Sequence, residues 1–169
     1  MAAMAETPAS PDDPMFAAIG RLATAWSFLE AGIDYSIMFL HSEFGGNAVE
    51  PEIPWSLQRK LKYLKKCFRR IERFKSHASA VAELMDIIQT ASVMRHDIIH
   101  GFAIGHPEGA TQLEMIRLLR DKGGNIPDQK LFTVTIEQIL LAAQEANMLG
   151  HCTIALTGWL LQLVKKKDN

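Results

Sequence analysis

The sequence predicts an all-α protein, an up-and-down four-helix bundle with a small β-hairpin between its third and fourth helices. Three observations lead to this prediction. Apolar residues recur at helical spacing in four long segments, Gly and Pro residues separate the segments, and one connection is too long to lack structure of its own. With 169 residues, 48% of them apolar and 22% charged, the chain has the size and composition of one globular domain.

The first two predicted helices lie in the N-terminal half. The first covers about residues 15–41 and ends before the stop signal Gly45-Gly46-Asn47. The second begins at Pro54, because proline suits a first helical turn, and ends near Ser76. Both keep apolar residues at the i, i+3, i+4, i+7 positions, so each buries one face.

The third and fourth predicted helices flank the long connection. The third has its apolar face between Val81 and Ile99, and Gly101 follows where a C-cap glycine belongs. The fourth begins at Thr135, which together with Gln138 resembles a capping box. The segments between them with strand character, which we expect to pair as a hairpin, are 113–118 and 130–134.

The ends of the chain and its cysteines indicate a cytoplasmic protein. Residues 1–14 lack the features of a signal peptide and are expected to form a disordered tail, followed by a single domain at 15–167. Residues 146–164 carry no formal charge, but glycines and polar residues interrupt them, which favours a buried helix and no membrane contact. Cys67 and Cys152 lie in apolar stretches without metal-ligand spacing, as expected of reduced thiols near the core.

The densest cluster of functional side chains is the heptapeptide Arg95-His96-Asp97-Ile98-Ile99-His100-Gly101. Arg95 lies within ~40° of the centre of the apolar stripe, so its guanidinium needs an acceptor. Glu30, on the inward side of the first helix, is the expected partner, with Asp34 one turn further on. His96 and His100 are i, i+4 neighbours at the edge of the same stripe.

The pattern R-x-x-x-x-H, with a polar residue after the arginine and a glycine after the histidine, resembles the motif of the HEPN (higher eukaryotes and prokaryotes nucleotide-binding) superfamily. The resemblance is close over this heptapeptide and concerns only the architecture elsewhere, with no counterpart for residues 102–134. It implies a helical bundle, frequently a homodimer, in which many members are metal-independent endoribonucleases. It implies Arg95 and His100 as the catalytic pair and His96 as the polar residue after the arginine. It also implies stress response, defence, or a toxin restrained by an antitoxin protein.

The chemistry implied by the resemblance needs no metal and no cofactor. RNA carries its own nucleophile, so a histidine that transfers protons and a cation that stabilises charge on phosphorus are sufficient. The products are a 2′,3′-cyclic phosphate and a 5′-hydroxyl. In a symmetric homodimer, two motifs that meet at the interface supply one base and one acid.

The second predicted helix is strongly basic. Nine of the 18 Lys and Arg residues of the chain fall within residues 59–75, opposed there only by Glu72. Such a stripe can follow an RNA backbone, and a solvated amphipathic face explains it equally well. The side chains that we expect to contact RNA are Lys62, Lys66, Arg69, Arg70 and Arg73.

Three alternatives compete with the endoribonuclease. In the first, Arg95 forms a structural ion pair and the histidines are ordinary helix-end residues. In the second, the bundle is non-catalytic and binds a protein or nucleotide partner through the basic helix or the hairpin. In the third, His96, Asp97 and His100 belong to a metal-dependent phosphohydrolase, which is weaker because Asp97 points ~160° away from the stripe centre on an ideal helix.

Overall fold

The computed structural model describes residues 13–105, 111–119 and 128–166, and these residues are mostly helical, as predicted. A three-stranded antiparallel sheet accompanies the helices. The helices are α1 (Pro14–Glu43), α2 (Gly46–Val49), α3 (Leu57–Arg70), a 3-10 helix (Glu72–His77), α4 (Ala78–His100) and α5 (Ile136–Lys165). The strands are β1 (Phe102–Gly105), β2 (Gln112–Leu118) and β3 (Gln129–Thr135). Residues 1–12 of the expected disordered tail lie outside the described residues.

Side-chain caps determine where the helices begin. The predicted capping box of α5 is confirmed, since Thr135 Oγ1 accepts from the Gln138 amide at 3.2 Å and Gln138 Oε1 accepts from the Thr135 amide at 2.9 Å. The predicted start of the second helix at Pro54 is wrong. Ser56 is the N-cap of α3, and its Oγ accepts from the Arg59 amide at 3.4 Å.

The segment predicted as one helix up to Ser76 is divided in two. The backbone at Ile71 is extended, and the chain continues in the 3-10 helix. This change of direction buries Phe74, which stacks on Phe68 with ring centroids 5.1 Å apart and meets Phe44 edge to face at 5.2 Å. Aromatic packing therefore closes the end of the α3–α4 hairpin.

Helices α1 and α5 form the most extensive contact between helices, and they run in the same direction. Thr153 Oγ1 donates to the Leu29 carbonyl at 3.3 Å, and Thr157 Oγ1, further along α5, lies 2.9 Å from the Gly32 carbonyl and from Ser36 Oγ. Residues later in α1 thus contact residues later in α5, so the two helices are parallel. First and fourth helices of an up-and-down bundle run in opposite directions, so the predicted up-and-down order is wrong.

Residues 44–56, which include α2, carry the chain back along α1 before α3 begins. The pairs that join α1 to α3 are Asp34 with Lys60, at 2.5 Å, and His41 with Tyr63, at 3.2 Å. These partners also advance in the same direction, so α3 is parallel to α1. The short 3-10 connection then makes α4 antiparallel to α3, as Lys65 with Asp86 indicates.

Glycines allow the close approach of α1 and α5. A Cβ atom at Gly32 would lie 2.3 Å from Thr153 Oγ1, and one at Gly150 would lie 2.4 Å from Phe28 Cδ1. Both distances are shorter than a van der Waals contact permits. Hydroxyl groups satisfy carbonyls across the same contact, so small residues and hydrogen bonds hold the two helices together.

The sheet has the order β1-β2-β3. The predicted hairpin corresponds to β2 and β3, which pair over their full length, whereas β1 was not predicted. Gly101 is the C-cap of α4 as expected, but its backbone is extended because β1 starts at the next residue. Glycine is required there for space, since a Cβ would lie 2.6 Å from the Asp97 carbonyl oxygen.

The two cysteines differ in their surroundings. Cys67 is buried, and burial, opposed in part by a hydrogen bond with Tyr63, raises its pKa to about 11. Cys152 is exposed on α5, contrary to the expectation of a thiol near the core. Within the described residues, no helix combines the length and the apolar character needed to cross a bilayer.

We expect Gly32→Ala to lower the free energy of unfolding by about 1–3 kcal/mol, because the new methyl group must displace Thr153 from its hydrogen bonds. Gly158→Ala is the control on α5, where a Cβ meets nothing within 4 Å. It should raise the free energy of unfolding by about 0.5–1 kcal/mol through helix propensity. Urea unfolding followed by circular dichroism measures both, and equal effects would contradict the close helix contact.

Candidate functional site

His96 and His100, here called the histidine pair, lie on the last turns of α4. Their ring centroids are 4.4 Å apart with an interplanar angle of 62°, an edge-to-face contact. Both side chains are exposed. The i, i+4 spacing predicted from the sequence therefore brings two imidazoles together at the surface, where a phosphate group can reach both.

Arg95 lies beside the histidine pair and contacts α1. Its Nη2 atom is 3.5 Å from Glu30 Oε1, and less than a third of each side chain is exposed. The expected partnership with Glu30 is confirmed. A guanidinium has further N–H donors beyond those used in one ion pair, so Arg95 can also bind an anionic ligand. Asp34 is not brought to this cluster, because it pairs with Lys60.

Asp97, predicted to point away from the centre of the apolar stripe of α4, is nevertheless buried. Its Oδ1 atom accepts from Arg117 Nη1 on β2, and its Oδ2 atom accepts from Lys130 Nζ on β3. The side chain does leave the apolar stripe of α4, but the sheet covers that side of the helix. A face that would be solvated on an isolated helix is therefore interior.

Arg117 and Lys130 were not identified from the sequence, although a signal was present. Residues of one strand alternate between faces, so Arg117 shares a face with the buried Leu113 and Met115. Lys130 is paired with Arg117 in the β2–β3 register. Two cations on the inner face of a sheet require a buried acceptor, and Asp97 is that acceptor.

The charges around the histidine pair shift two pKa values. Partial desolvation lowers the pKa of His96, and the positive charges of Arg117, His100 and Arg95 lower it further, against the opposing charge of Asp97. The lowered pKa of His96 favours its neutral imidazole, which can accept a proton. Burial raises the pKa of Asp97, but hydrogen bonds from Lys130 and Arg117 outweigh burial and the net shift is downward.

The donor set does not form a metal centre. Across residues 13–105, 111–119 and 128–166, no three side chains of His, Cys, Asp or Glu come together in a way that could hold a metal ion. Both oxygens of Asp97 are occupied by cations. The carboxylate that the metal-dependent phosphohydrolase would need is thus engaged in a structural role.

A cleft of about 570 Å³ lies between α4, β3 and α5, and Asp97 and Lys130 are among its lining residues. Apolar side chains, among them Met94, Phe132 and Leu141, form most of its wall. Lys130 Nζ also lies 5.5 Å from the centre of the Phe132 ring. The cleft does not include the histidine pair, so the site described above is a surface site.

The basic side chains of α3 and of the 3-10 helix divide into those that have a partner and those that have none among the described residues. Arg59 and Lys66 share Glu50, at 3.5 and 2.8 Å, and the guanidinium of Arg73 lies 4.9 Å from the centre of the Phe44 ring. In the described part of the chain no ion pair engages Lys62, Arg69 or Arg70, all of which are exposed. The residues that we call the basic face all point away from the core: Lys62, Lys66, Arg69, Arg70 and Arg73.

Comparison of the chain with models of protein families, with curated proteins and with solved structures finds no match. The resemblance to the HEPN superfamily therefore depends on the heptapeptide that ends α4.

We expect Asp97→Asn to lower the free energy of unfolding by about 2 kcal/mol at pH 7, since it removes the negative charge between Arg117 and Lys130 and replaces one of the two acceptor oxygens by an NH2 donor. Because the pKa of Asp97 is lower in the folded state, its contribution is complete above the unfolded pKa of about 4 and is lost as the pH falls through the folded value. The difference between wild type and variant should therefore shrink between pH 5 and pH 2, roughly the range in which carboxylates titrate.

Asp86→Asn is the matched control for this series of urea titrations. Its side chain is 69% exposed and pairs with Lys65, so its loss should change the free energy of unfolding by less than about 1 kcal/mol. An equal loss in both variants, or a pH-independent loss in Asp97→Asn, would contradict the buried role of Asp97.

Proposed function

We propose that the protein is a metal-independent endoribonuclease whose catalytic residues are Arg95, His96 and His100. The observation that carries the proposal is the contact of two exposed imidazoles beside an arginine at the end of α4. Phosphodiester cleavage by an internal 2′-hydroxyl needs proton transfer and a cation near phosphorus, and this cluster provides both. The heptapeptide that resembles the HEPN motif supplies the same three residues.

In the proposed reaction, the neutral imidazole of His96 removes the proton of the 2′-hydroxyl as its oxygen attacks phosphorus. Arg95 stabilises the charge on the non-bridging oxygens. The P–O5′ bond breaks, and an imidazolium returns a proton to the departing 5′-oxygen. The products are a 2′,3′-cyclic phosphate and a 5′-hydroxyl.

The homodimer predicted from the sequence belongs to this proposal. In-line attack requires the base and the acid on opposite sides of phosphorus, whereas the two imidazoles of one chain are in contact and so lie on one side. A second copy of the chain, related by two-fold symmetry, would supply the histidine on the opposite side. We propose that His100 acts as the acid in this arrangement.

A second candidate function, a non-catalytic module that binds a protein partner, is favoured by the outer face of the sheet. Phe102, Leu118 and Leu131 are each more than half exposed there, and Phe102 and Leu131 both pair with Ile116. Contiguous exposed apolar side chains of this kind mark protein contacts. The cytoplasmic location and the toxin or defence role stay predictions from the sequence.

We expect the wild-type protein to cleave end-labelled single-stranded RNA in excess EDTA. Arg95→Ala and His100→Ala should lower the rate by roughly 10²–10⁴-fold, the usual contribution of a catalytic acid, base or charge-stabilising group. His151→Ala, which removes an exposed histidine of α5, should leave the rate unchanged. Inhibition by EDTA, or normal cleavage by His100→Ala, would contradict the mechanism, and absence of cleavage in every sample would favour the second candidate.

We expect the cleavage rate to rise with pH through the pKa of His96, which lies below the ordinary value of about 6.5. Arg117→Gln removes a positive charge that lowers this pKa, so the acidic limb of the pH–rate profile should move to higher pH. Lys130→Gln is the matched control, because Lys130 also binds Asp97 but is not among the charges that shift the pKa of His96. An equal shift in both variants would show that the limb does not report on His96.

A further inference from the structure

Trp55 is the most exposed large apolar side chain among the described residues, with 90% of its surface accessible. It directly precedes Ser56, the N-cap of α3, and its neighbour Ile53 is also about half exposed. Tryptophan normally buries most of its large apolar surface, so an indole left almost wholly in water is unusual. Such exposure leaves the indole accessible to a flat ligand.

The helix that follows Trp55 is rich in positive charge. Seven of the 14 residues of α3 are Lys or Arg, and none is Asp or Glu. The basic face runs along the outside of this helix, where it extends for about 12 Å between Lys62 and Arg70 at 1.5 Å per residue, and Arg73 continues it on the 3-10 helix. Trp55 therefore stands at the N-terminal end of a positively charged track.

The helix directions place Trp55 at about the same height along the helix axes as Arg95, one of the proposed catalytic residues. Arg95 pairs with Glu30, and one turn later on α1 Asp34 pairs with Lys60 of α3. Because α1 and α3 are parallel, the residue of α3 level with Glu30 lies one turn before Lys60, at Ser56. Trp55 thus lies at the end of α3 that is level with Arg95.

We propose that Trp55 stacks on a base of single-stranded RNA whose phosphates follow the basic face of α3. This inference deepens the proposed function, and it depends on RNA being the substrate. Single-stranded nucleic acid is typically bound by a positive groove combined with aromatic side chains on which bases stack. The bases of a duplex are already stacked on each other, so the indole selects unpaired RNA. The charge of the face disfavours a second copy as the occupant, since like charges would meet.

Intrinsic fluorescence reports on Trp55 directly. The chain has three tryptophans, of which Trp26 is buried and Trp159 packs between Phe74 and His77. Wild-type protein is titrated with a short single-stranded 2′-O-methyl oligoribonucleotide, which lacks the nucleophile and cannot be cleaved by the proposed route. The same titration is made with the duplex form and with heparin, a polyanion without bases.

The single strand should quench the indole emission, and heparin should bind without stacking on it. Trp55→Ala should bind the single strand about tenfold more weakly, which corresponds to the loss of one stacked base, and should bind heparin normally. Trp55→Phe retains a ring and should keep most of the affinity. Arg69→Gln should lower the affinity for both the single strand and heparin, because it removes a positive charge. Ile53→Ala is the control that should leave both affinities unchanged.

Unchanged affinity of Trp55→Ala for the single strand would overturn the proposal. Emission that depends on protein concentration without RNA would also overturn it, because Trp55 would then lie in a contact between copies. Binding is measured here without cleavage, so the two proposals fail separately. If Trp55 does not stack on RNA but the protein still cleaves it, only the stacking proposal is contradicted. If Trp55 stacks on RNA but the protein does not cleave it, only the endoribonuclease proposal is contradicted.

Discussion

The buried carboxylate of Asp97 joins the sheet to the helix that carries the histidine pair. Burial of an ionised carboxylate is unfavourable unless donors satisfy it, and the charged donors that the described residues bring to Asp97 are Arg117 and Lys130, from two different strands. The strand register must bring both cations to the inner face. A slip of one residue on either strand would turn its cation outward and leave Asp97 short of a donor. The register of the sheet, the end of α4 and the charges next to His96 therefore depend on one ionic cluster.

The parallel arrangement of the helices determines where Trp55 lies relative to Arg95. Small residues and hydroxyl groups let the two helices run side by side in the same direction. The long return of residues 44–56 makes α3 parallel to α1 as well, and it is this return that brings the exposed Trp55 to the start of α3. The aromatic ring consequently lies near the level of the Arg95–Glu30 pair, and the basic face begins further along α3, at Lys62.

Parts of the site that follow from helical periodicity were predictable from the sequence. The spacing of His96 and His100 determines their contact, and the position of Arg95 on an apolar stripe requires an acidic partner, for which Glu30 on α1 was well placed. The burial of Asp97 could not be predicted in this way. Helical periodicity describes the side of α4 that faces the other helices, and it has no information about a sheet that packs against the opposite side.

The mostly helical class, the pairing of β2 with β3, the α5 capping box and the adjacency of the histidines could all be read from the amino-acid sequence, because each depends on local spacing or hydrogen bonding. The helix directions, the third strand, the burial of Asp97 and the location of Trp55 relative to Arg95 became known from the folded structure alone. These features depend on contacts between residues far apart in the chain. Close packing of glycines selects the α1–α5 orientation, and the requirement to neutralise a buried charge selects the strand register.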